Sequence, residues 1–444
     1  MNSLSTKELM YIFKKIINIP DLLILREVCK KWNDVIDLLL INIKLWKNMC
    51  SKDVISPWVH EIVKNKYSSY SVADFENKTF DQSTWKEIYL FYKKWRQCVY
   101  IPSIHFFFNI TSETTTDDHH EKATCMDIWA DYVVVGSNIG NVNFYLLRGR
   151  YRRLYQIKNP QLFITEVKFW FTNAQKLIAV IALRNRHLKF WDVENRYNIE
   201  SPSENQSSTI AECKFHRFFV ASNLEILEYK YHRNRIHERQ RFALSTILSS
   251  TVDQPINIIG MYIGVNKLTI VGSNFPTIVT TSLNIPVLPH RRSMIISKDV
   301  SIHKTEQFSN NKFILCHVPL NDVLLIVDDL FLYTATKDST NQEYVWKTYQ
   351  LKDPLKRNIS SVLLFANTLI IGTRTGILNL YILKNVYHFS NLILETIPSR
   401  SVYLSTEPIT DLKITDLKGF FHIFAMTGSM LHIVKFSEND FEQL

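Results

Sequence analysis

The chain has 444 residues, of which 46% are hydrophobic and 21% are charged, and this is the composition of an ordinary globular protein. The composition excludes a collagen-like, low-complexity or disulfide-dense secreted chain, and the length allows about two or three domains. Residues 1–8 lack the apolar segment of a secretory signal, and the longest uncharged stretch, 268–289, is interrupted by three prolines. We therefore expect no signal peptide, no membrane-spanning helix and no membrane partner.

The net charge of +10 is concentrated in one part of the chain. Residues 148–241 contain 18 Lys and Arg against 9 Asp and Glu, which is a surplus of +9. Such a surplus favours acidic partners, which include phosphorylated peptides, acidic protein surfaces and nucleic acid. The six cysteines show no C-x-x-C spacing, so the sequence predicts reduced thiols in the cytosol or nucleus, with neither a zinc site nor a disulfide framework.

Residues 5–50 show three short helical patterns, in which apolar residues recur at the spacing of one helix face. The first pattern begins at Ser5, which has the capping-box spacing to Glu8. The second runs over residues 22–32 and the third over 36–43. Three short helices bury little surface by themselves. We therefore expect this module to bind a partner or, as a simple helical cap, to cover a neighbouring domain.

The helical pattern resembles an F-box. The resemblance rests on Leu4, Ser5, Glu8, Leu9, Ile12, Phe13 and Ile16, then on Asp21, Leu22, Leu23, Leu25, Arg26, Val28, Cys29, Lys30 and Trp32, and finally on Leu45 and Trp46. Ser5 departs from the family, which usually has proline at this position, and the capping box with Glu8 would do a similar job. The resemblance implies docking onto the Skp-type adaptor of Skp–cullin–F-box ubiquitin ligases, and through it onto a cullin.

The resemblance assigns the adaptor contacts to the apolar positions of the pattern. These residues are Leu4, Leu9, Ile12, Phe13, Ile16, Leu22, Leu23, Leu25, Val28, Cys29, Trp32, Leu45 and Trp46. Burying one large apolar side chain contributes about 1.5–3 kcal/mol, and aromatic anchors dominate many interfaces. Cys29 fits this face as a small hydrophobic residue and not as a redox group.

Residues 51–98 continue the helical pattern. Thr84 and Glu87 have capping-box spacing and predict the start of a helix. One face of that helix carries Trp85, Ile88, Tyr92 and Trp95. In F-box proteins with propellers, a helical linker of this kind separates the two ends of the molecule, and the resemblance implies the same arrangement.

From residue 99 onward the pattern changes to short apolar strands separated by turn residues. The segment Val134–Leu147 recurs at Ile370–Leu383, 236 residues later, with both glycines, an Asn, a Tyr and the last Leu in common. Weaker copies complete seven units, whose centres are Val135, Ala182, Ala221, Val271, Ile326, Ile371 and Met426. Their spacing is near the period of about 40–45 residues that is typical of WD repeats and predicts seven propeller blades, with six or eight as alternatives.

The repeats are degenerate, because Trp191-Asp192 is the only WD dipeptide at the expected end of a third strand. Ile101–Phe108 is expected to supply the outermost strand of the last blade and so to close the ring. The fold class is therefore α+β and multidomain. We expect a three-helix F-box over 1–50, a helical linker over 51–98 and a seven-bladed WD-like β-propeller over 99–444.

The sequence contains none of the common catalytic or phosphate-binding motifs. Asp117-Asp118 and His119-His120 lie in a polar stretch that is better explained as a solvated loop than as a metal site. We therefore predict a non-catalytic chain without a metal or cofactor.

The propeller is expected to bind a protein through the turns that join the second and third strands of its blades. By this pattern Asn138, Arg184, Arg186 and Arg374 share one face, and related F-box propellers use arginines there for phosphorylated substrates. The arginines of 148–153 and 232–241 are expected in turns on the opposite face. The positive charge is thus divided between two faces.

The preferred hypothesis is a substrate-recognition subunit of a Skp–cullin–F-box ubiquitin ligase, in the cytoplasm or the nucleus. It would bind the adaptor through the F-box and a protein substrate, acidic or phosphorylated, through the propeller. The alternatives are a scaffold without a role in ubiquitin transfer, or a basic module for acidic proteins or nucleic acid. Nucleic acid is the less favoured ligand because no known nucleic-acid motif is present.

Overall fold

The structure of the protein is a computed structural model. It describes residues 4–16, 19–42, 45–54, 58–59, 61–63, 80–110, 121–148, 151–158, 162–185, 187–200, 210–214, 216–222, 225–243, 257–264, 267–274, 277–284, 296–304, 315–320, 322–337, 344–353, 355–383, 398–417 and 420–436. The chain divides into two compact units, which are Met1–Ile62 with Asn77–Lys94 and Val63–Glu76 with Trp95–Leu444. We call the first the helical unit.

Short helices build the helical unit. They are α1 (Thr6–Lys14), α2 (Ile19–Arg26), α3 (Lys30–Asn42), α4 (Leu45–Asp53) and the greater part of α5 (Gln82–Gln97). The predicted capping box is present at the start of α1. The hydroxyl of Ser5 accepts the backbone N–H of Glu8 at 3.3 Å, and the N–H of Ser5 donates to the Glu8 carboxylate at 2.7 Å. Hydrogen bonding to its carboxylate, first from the backbone and then from the side chain of Ser5, lowers the pKa of Glu8.

Aromatic and polar contacts join α4 to α5. The ring centroids of Trp46 and Tyr89 are 5.9 Å apart, and the Tyr89 hydroxyl donates to the carboxylate of Asp53 at 2.8 Å. The thiol of Cys50 donates to the carbonyl of Trp85 at 3.3 Å. Burial raises the pKa of Cys50 to about 12, so this thiol remains protonated at neutral pH.

Helix α5 begins at Gln82, two residues before the start predicted at Thr84. Asp81 is its cap, because its carboxylate accepts the backbone N–H of Thr84 at 2.7 Å. An Asp at this position satisfies an N–H group that has no partner within the helix. Thr84 therefore lies inside the first turn.

The second unit contains seven antiparallel sheets of four strands each. In the described part of the chain the strands are β1 (Ser103–Asn109), β2 (Ala123–Trp129), β3 (Tyr132–Ser137), β4 (Asn141–Leu146), β5 (Arg152–Lys158), β6 (Ile164–Phe171), β7 (Leu177–Leu183), β8 (Leu188–Asp192), β9 (Tyr197–Ile199), β10 (Ile210–Lys214), β11 (Arg217–Ala221), β12 (Glu225–His232), β13 (Arg235–Ala243), β14 (Asn257–Ile263), β15 (Lys267–Asn274), β16 (Thr277–Asn284), β17 (Ile296–Lys304), β18 (Leu315–Leu320), β19 (Val323–Val327), β20 (Phe331–Lys337), β21 (Tyr344–Gln350), β22 (Ile359–Phe365), β23 (Thr368–Thr373), β24 (Ile377–Ile382), β25 (Arg400–Tyr403), β26 (Asp411–Leu417), β27 (Phe420–Met426) and β28 (Met430–Phe436).

The sheets are the blades of a β-propeller. Blades 1 to 6 take their strands in chain order, from β2–β5 to β22–β25, and blade 7 consists of β26, β27, β28 and β1. The first strand of each blade contacts the first strand of the next, and β26 contacts β2, so these strands form a closed ring. Each of the seven predicted repeat centres lies on the second strand of a blade, and the predicted blade number is confirmed.

The first strand of the propeller closes the ring, as the sequence predicted. Strand β1 pairs antiparallel with β28, from Ser103 opposite Phe436 to Asn109 opposite Met430. The first strand of the propeller thereby becomes the outer strand of blade 7, whose other three strands are the last in the chain. This pairing removes an unpaired edge from β28.

The segment that leads into β1 is anchored within the propeller unit. The ring of Trp95 lies 5.3 Å from that of Phe365 in blade 6 and 5.2 Å from that of Phe421 in blade 7. Arg400, at the start of β25, donates to two backbone carbonyls of the segment before β1 and to the hydroxyl of Ser103 at 2.5 Å. These contacts fix the place where β1 begins.

The long-range sequence repeat reflects a joint that occurs twice between blades. The hydroxyl of Thr124 donates to the carbonyl of Ile164, the first residue of blade 2, at 2.6 Å. Ser360, 236 residues after Thr124, donates in the same way to the carbonyl of Ile409 before blade 7, at 2.8 Å. The repeat therefore preserves an inter-blade hydrogen bond as well as a strand pair.

The two repeated glycines allow close packing at these joints. A Cβ atom on Gly136 would lie 2.6 Å from a methyl carbon of Ile164. On Gly372 it would lie 2.2 Å from the Ser361 hydroxyl and 2.8 Å from a methyl carbon of Ile409. A larger residue at either position would require the next blade to move away.

Carboxylates on the first strands also join neighbouring blades, because each accepts a backbone N–H from the next first strand. The pairs are Asp411 with Met126 at 3.3 Å, Asp127 with Phe169 at 2.7 Å and Glu166 with Ala211 at 2.7 Å. The ammonium of Lys168 lies 3.2 Å from Glu212 and 3.7 Å from Glu166. Burial lowers the pKa of Lys168, but the attraction of Glu212 and Glu166 outweighs it and holds this pKa well above its ordinary value.

We expect Gly372→Ala to destabilise the propeller by about 1–3 kcal/mol, the usual cost of overpacking a core. Gly428→Ala is the matched control, because its new Cβ would meet nothing closer than 3.5 Å. Urea unfolding midpoints of both variants and the wild type measure the difference. Equal midpoints for the two variants would contradict the role given to Gly372.

Candidate protein-interaction surfaces

Four of the residues assigned to the adaptor are buried in the folded chain. They are Leu9, Phe13, Leu22 and Trp46. Phe13 packs edge-to-face against Trp32, with ring centroids 5.2 Å apart. Burial gives these side chains a role in the stability of the fold, and they are not available to a partner unless the helices separate. The second predicted helical pattern, residues 22–32, is divided between two helices. Helix α2 ends at Arg26 and α3 begins at Lys30, so Trp32 lies on α3.

Two of the assigned residues are exposed to solvent. Ile12 is 44% exposed and Val28 is 59% exposed. Among the described residues of α1, α2 and α3, the sequence analysis missed three further exposed apolar residues, which are Tyr11, Ile24 and Leu38. Leu4, Ile16, Leu25, Cys29 and Trp32 are partly buried, whereas the side chains of Leu23 and Leu45 lie outside the described residues. The exposed set offers the apolar contacts that a partner can reach without unfolding the helices.

The predicted substrate residues lie in turns between second and third strands, as expected. Asn138 follows β3, Arg184 follows β7 and Arg374 follows β23, while Arg186 lies outside the described residues. We call the end of the propeller that carries these turns the upper rim. Asn138 and Arg184 belong to neighbouring blades, but Arg374 belongs to blade 6, with blades 7 and 1 between it and Arg184. The propeller therefore does not bring the three together in one cluster.

Asn138 and Arg184 have different roles on the upper rim. The side-chain oxygen of Asn138 accepts the N–H of Lys122 at 2.7 Å, and its own N–H donates to the Lys122 carbonyl at 2.9 Å. Asn138 thus closes a turn. The guanidinium of Arg184 is exposed and lies 5.8 Å from the ring centre of Phe163. Within the described residues it has no ion-pair partner and can bind an anion.

A basic group lies on the upper rim between blades 5 and 6. Arg374 forms an ion pair of 2.9 Å with Asp329, and the backbone N–H of Arg357 donates to the Asp329 carbonyl at 2.8 Å. The exposed Lys356 precedes Arg357. We call Lys356, Arg357 and Arg374 the basic rim group. The sequence shows Lys356 and Arg357 as an adjacent basic pair before a strand. It does not show that Arg357 and Arg374 both contact Asp329 of the preceding blade.

The prediction that the arginines of 232–241 occupy a turn was wrong for most of them. Only Arg233 and Asn234 form the turn, and Arg235, Arg239 and Arg241 lie on the outer strand β13. The turn is short because β12 and β13 pair up to His232 and Arg235. Arg152 and Arg153 likewise lie on an outer strand, β5.

Three arginines of blade 3 form ion pairs with carboxylates of the same blade. The buried Glu228 binds Arg217 at 2.8 Å and Arg239 at 3.0 Å. Arg241 binds Glu238 at 2.8 Å. These arginines are therefore engaged by carboxylates of their own blade, which makes them less available to an acidic partner or to nucleic acid.

The described residues contain no group of three or more His, Cys, Asp or Glu placed to hold a metal ion. The stretch 117–120, with its two His and two Asp, lies outside them. None of the helices in the described part of the chain combines the length and the apolar character needed to cross a bilayer.

We expect Arg217→Met to destabilise the protein by about 3 kcal/mol, because Arg217 is 10% exposed and its loss leaves a buried carboxylate with one partner fewer. Arg374→Met should cost less, about 1 kcal/mol, because the side chain of Arg374 is 41% exposed and that of Asp329 is 18% exposed, so water screens this pair more than the pair of Arg217. Urea unfolding of both variants tests the contrast. A larger loss for Arg374→Met would mean that Arg374 serves the fold and not a ligand.

Compared with known proteins, the sequence matches no family model and no curated protein.

Proposed function

We propose that this chain is the substrate-recognition subunit of a Skp–cullin–F-box ubiquitin ligase. One observation carries the proposal: the same chain combines a helical unit that has the residue pattern of an F-box with a seven-bladed propeller. The capping box of Ser5 and Glu8 and the exposed Ile12 and Val28 support the first part. A propeller presents a ring of turns on which a protein substrate can be held, and this supports the second part.

On the adaptor side, the exposed apolar residues make the contacts in this proposal. Ile12 and Val28 would be buried against the adaptor, each contributing about 1.5–3 kcal/mol if its burial is complete. Leu9 and Phe13 would act indirectly, by holding α1 in the position that presents Ile12.

On the substrate side, the upper rim binds an acidic or phosphorylated segment in this proposal. Arg184 is free to bind a carboxylate or phosphate, and arginine does so with two parallel hydrogen bonds. Arg374 would exchange Asp329 for the ligand, which is a small loss because this ion pair is solvated.

The chain itself is non-catalytic in this proposal and needs no cofactor. Ubiquitin would be transferred from a conjugating enzyme that other subunits recruit. The chain would raise the effective concentration of a substrate lysine near that enzyme. We assign the complex to the cytoplasm or the nucleus, and the six free cysteines agree with a reducing compartment.

We expect Ile12→Lys with Val28→Lys to abolish co-purification with a Skp-type adaptor and a cullin, because two charges would replace exposed apolar contacts. Leu90→Lys is the matched control, since Leu90 on α5 is 40% exposed and lies outside the F-box pattern. Phe13→Ala is unsuitable because it removes a core side chain. Retention of the adaptor by the double variant, or its loss in the control as well, would refute the assigned surface.

A second experiment separates a ligase subunit from a scaffold. Removal of the chain from cells should cause a client protein to accumulate, and re-expression of an Arg184→Ala/Arg357→Ala/Arg374→Ala variant should not restore its degradation. This variant should still bind the adaptor. If the chain binds the adaptor but its removal causes no client protein to accumulate, the chain is a scaffold without a role in ubiquitin transfer.

A further inference from the structure

The two strands that close the propeller meet at a pair of histidines. The Nε2 atom of His105 on β1 lies 3.0 Å from the Nδ1 atom of His432 on β28. The two rings are stacked, with centroids 5.2 Å apart and an angle of 27° between their planes. This contact therefore lies within the strand pair that joins the first strand of the propeller to the last.

The surroundings of the pair disfavour a positive charge. His432 is 1% exposed, and its Nε2 atom has no hydrogen-bond partner in the described part of the chain. The exposed ring of Phe107 packs against it, with centroids 6.4 Å apart. Burial of an imidazole favours its neutral form. The closed propeller therefore holds the imidazole of His432 in its neutral form.

Other charged groups lie around the two strands. The carboxylate of Glu407, in the segment before β26, acts to raise the pKa of His432. This carboxylate accepts hydrogen bonds from the backbone N–H and the hydroxyl of Ser429, each at 2.9 Å. Arg400 contacts the start of β1, and Lys435 lies over the ring of Phe420.

A hydrogen bond between two imidazoles requires one nitrogen to donate and the other to accept. If both rings are protonated, the two facing nitrogens both carry hydrogens and both rings are positive. The bond is then replaced by repulsion across 3.0 Å. Separation of β1 from β28 relieves this repulsion and gives both rings access to water.

We propose that His105 and His432 form a pH-sensitive latch, which holds β1 against β28 at neutral pH and releases it in acid. The inference concerns the closure of the ring and is independent of the proposed ligase function.

The direction of the effect follows from proton binding. Burial, and then the neighbouring His105, lower the pKa of His432 from 6.5 to about 4, against the smaller opposing effect of Glu407. Burial also lowers the pKa of His105. The released strand therefore binds protons more tightly than the closed one, so closure is fully favoured above pH 6.5 and weakens as the pH falls towards 4. For His432 alone, the closing equilibrium at pH 5.0 should be about 30-fold weaker than at pH 7.5.

Amide hydrogen exchange of the full chain tests the latch. Protection factors for residues 103–109, corrected for intrinsic exchange rates, should fall about 30-fold between pH 7.5 and pH 5.0 in the wild type, while those of β7 in blade 2 should change little. In His432→Leu, the fall in protection of β1 should be much smaller than in the wild type, because only the partly buried His105 still titrates there. If His432→Leu does not fold at pH 7.5, His432→Asn replaces it, because its amide can still hydrogen-bond the Nε2 atom of His105 but carries no titratable group.

His422→Leu is the matched control. His422 is also buried in blade 7 and its pKa is likewise lowered to about 4, mainly by burial, but its ring contacts the Phe420 carbonyl and the Phe424 ring of its own strand. This variant should keep the acid-induced release of β1. The latch is refuted if wild-type β1 keeps its protection at pH 5.0, or if the histidine variant that folds loses it as the wild type does.

Discussion

The pairing of β1 with β28 is the contact on which the propeller depends. The other six blades are each built from consecutive strands, but blade 7 is completed only when a strand from the start of the unit returns to it. Trp95 and Arg400 hold the segment that delivers this strand. Closure in this way joins the two ends of the unit and leaves the outer edge of β28 covered, so a loss of this one pairing would affect the whole ring.

The charged residues of the propeller divide into two groups by what they touch. Asp127, Glu166 and Asp411 bind backbone N–H groups of the next blade, and Glu228 binds two arginines inside blade 3. These groups are committed to the fold, since removing one leaves a buried polar partner unsatisfied. Cations of the upper rim are solvated, and they can exchange partners at little cost. Net charge along the sequence is therefore a poor guide to where a ligand binds.

The helical unit shows the same division among its apolar residues. Leu9 and Phe13 lie on the buried side of α1, whereas Ile12, from the same sequence pattern, is exposed. A periodic stripe identifies the face that must leave water, but it does not say whether another part of the chain or a partner covers it. In this unit the most regular positions form the core. Residues next to them in sequence, such as Ile12, are exposed to solvent.

The sequence by itself determined the features that depend on neighbouring residues or on repetition. These were the capping box of Ser5 and Glu8, the seven strand units, the WD dipeptide at the end of β8 and the strand that closes the ring, because each leaves a local pattern of hydrogen-bonding groups or apolar spacing. Only the tertiary structure decided which charges are free. Asp329 reaches Arg374, and His105 reaches His432, across 45 and 327 residues of chain. Contacts at such separations are set by how blades pack around the ring, and no local pattern records them.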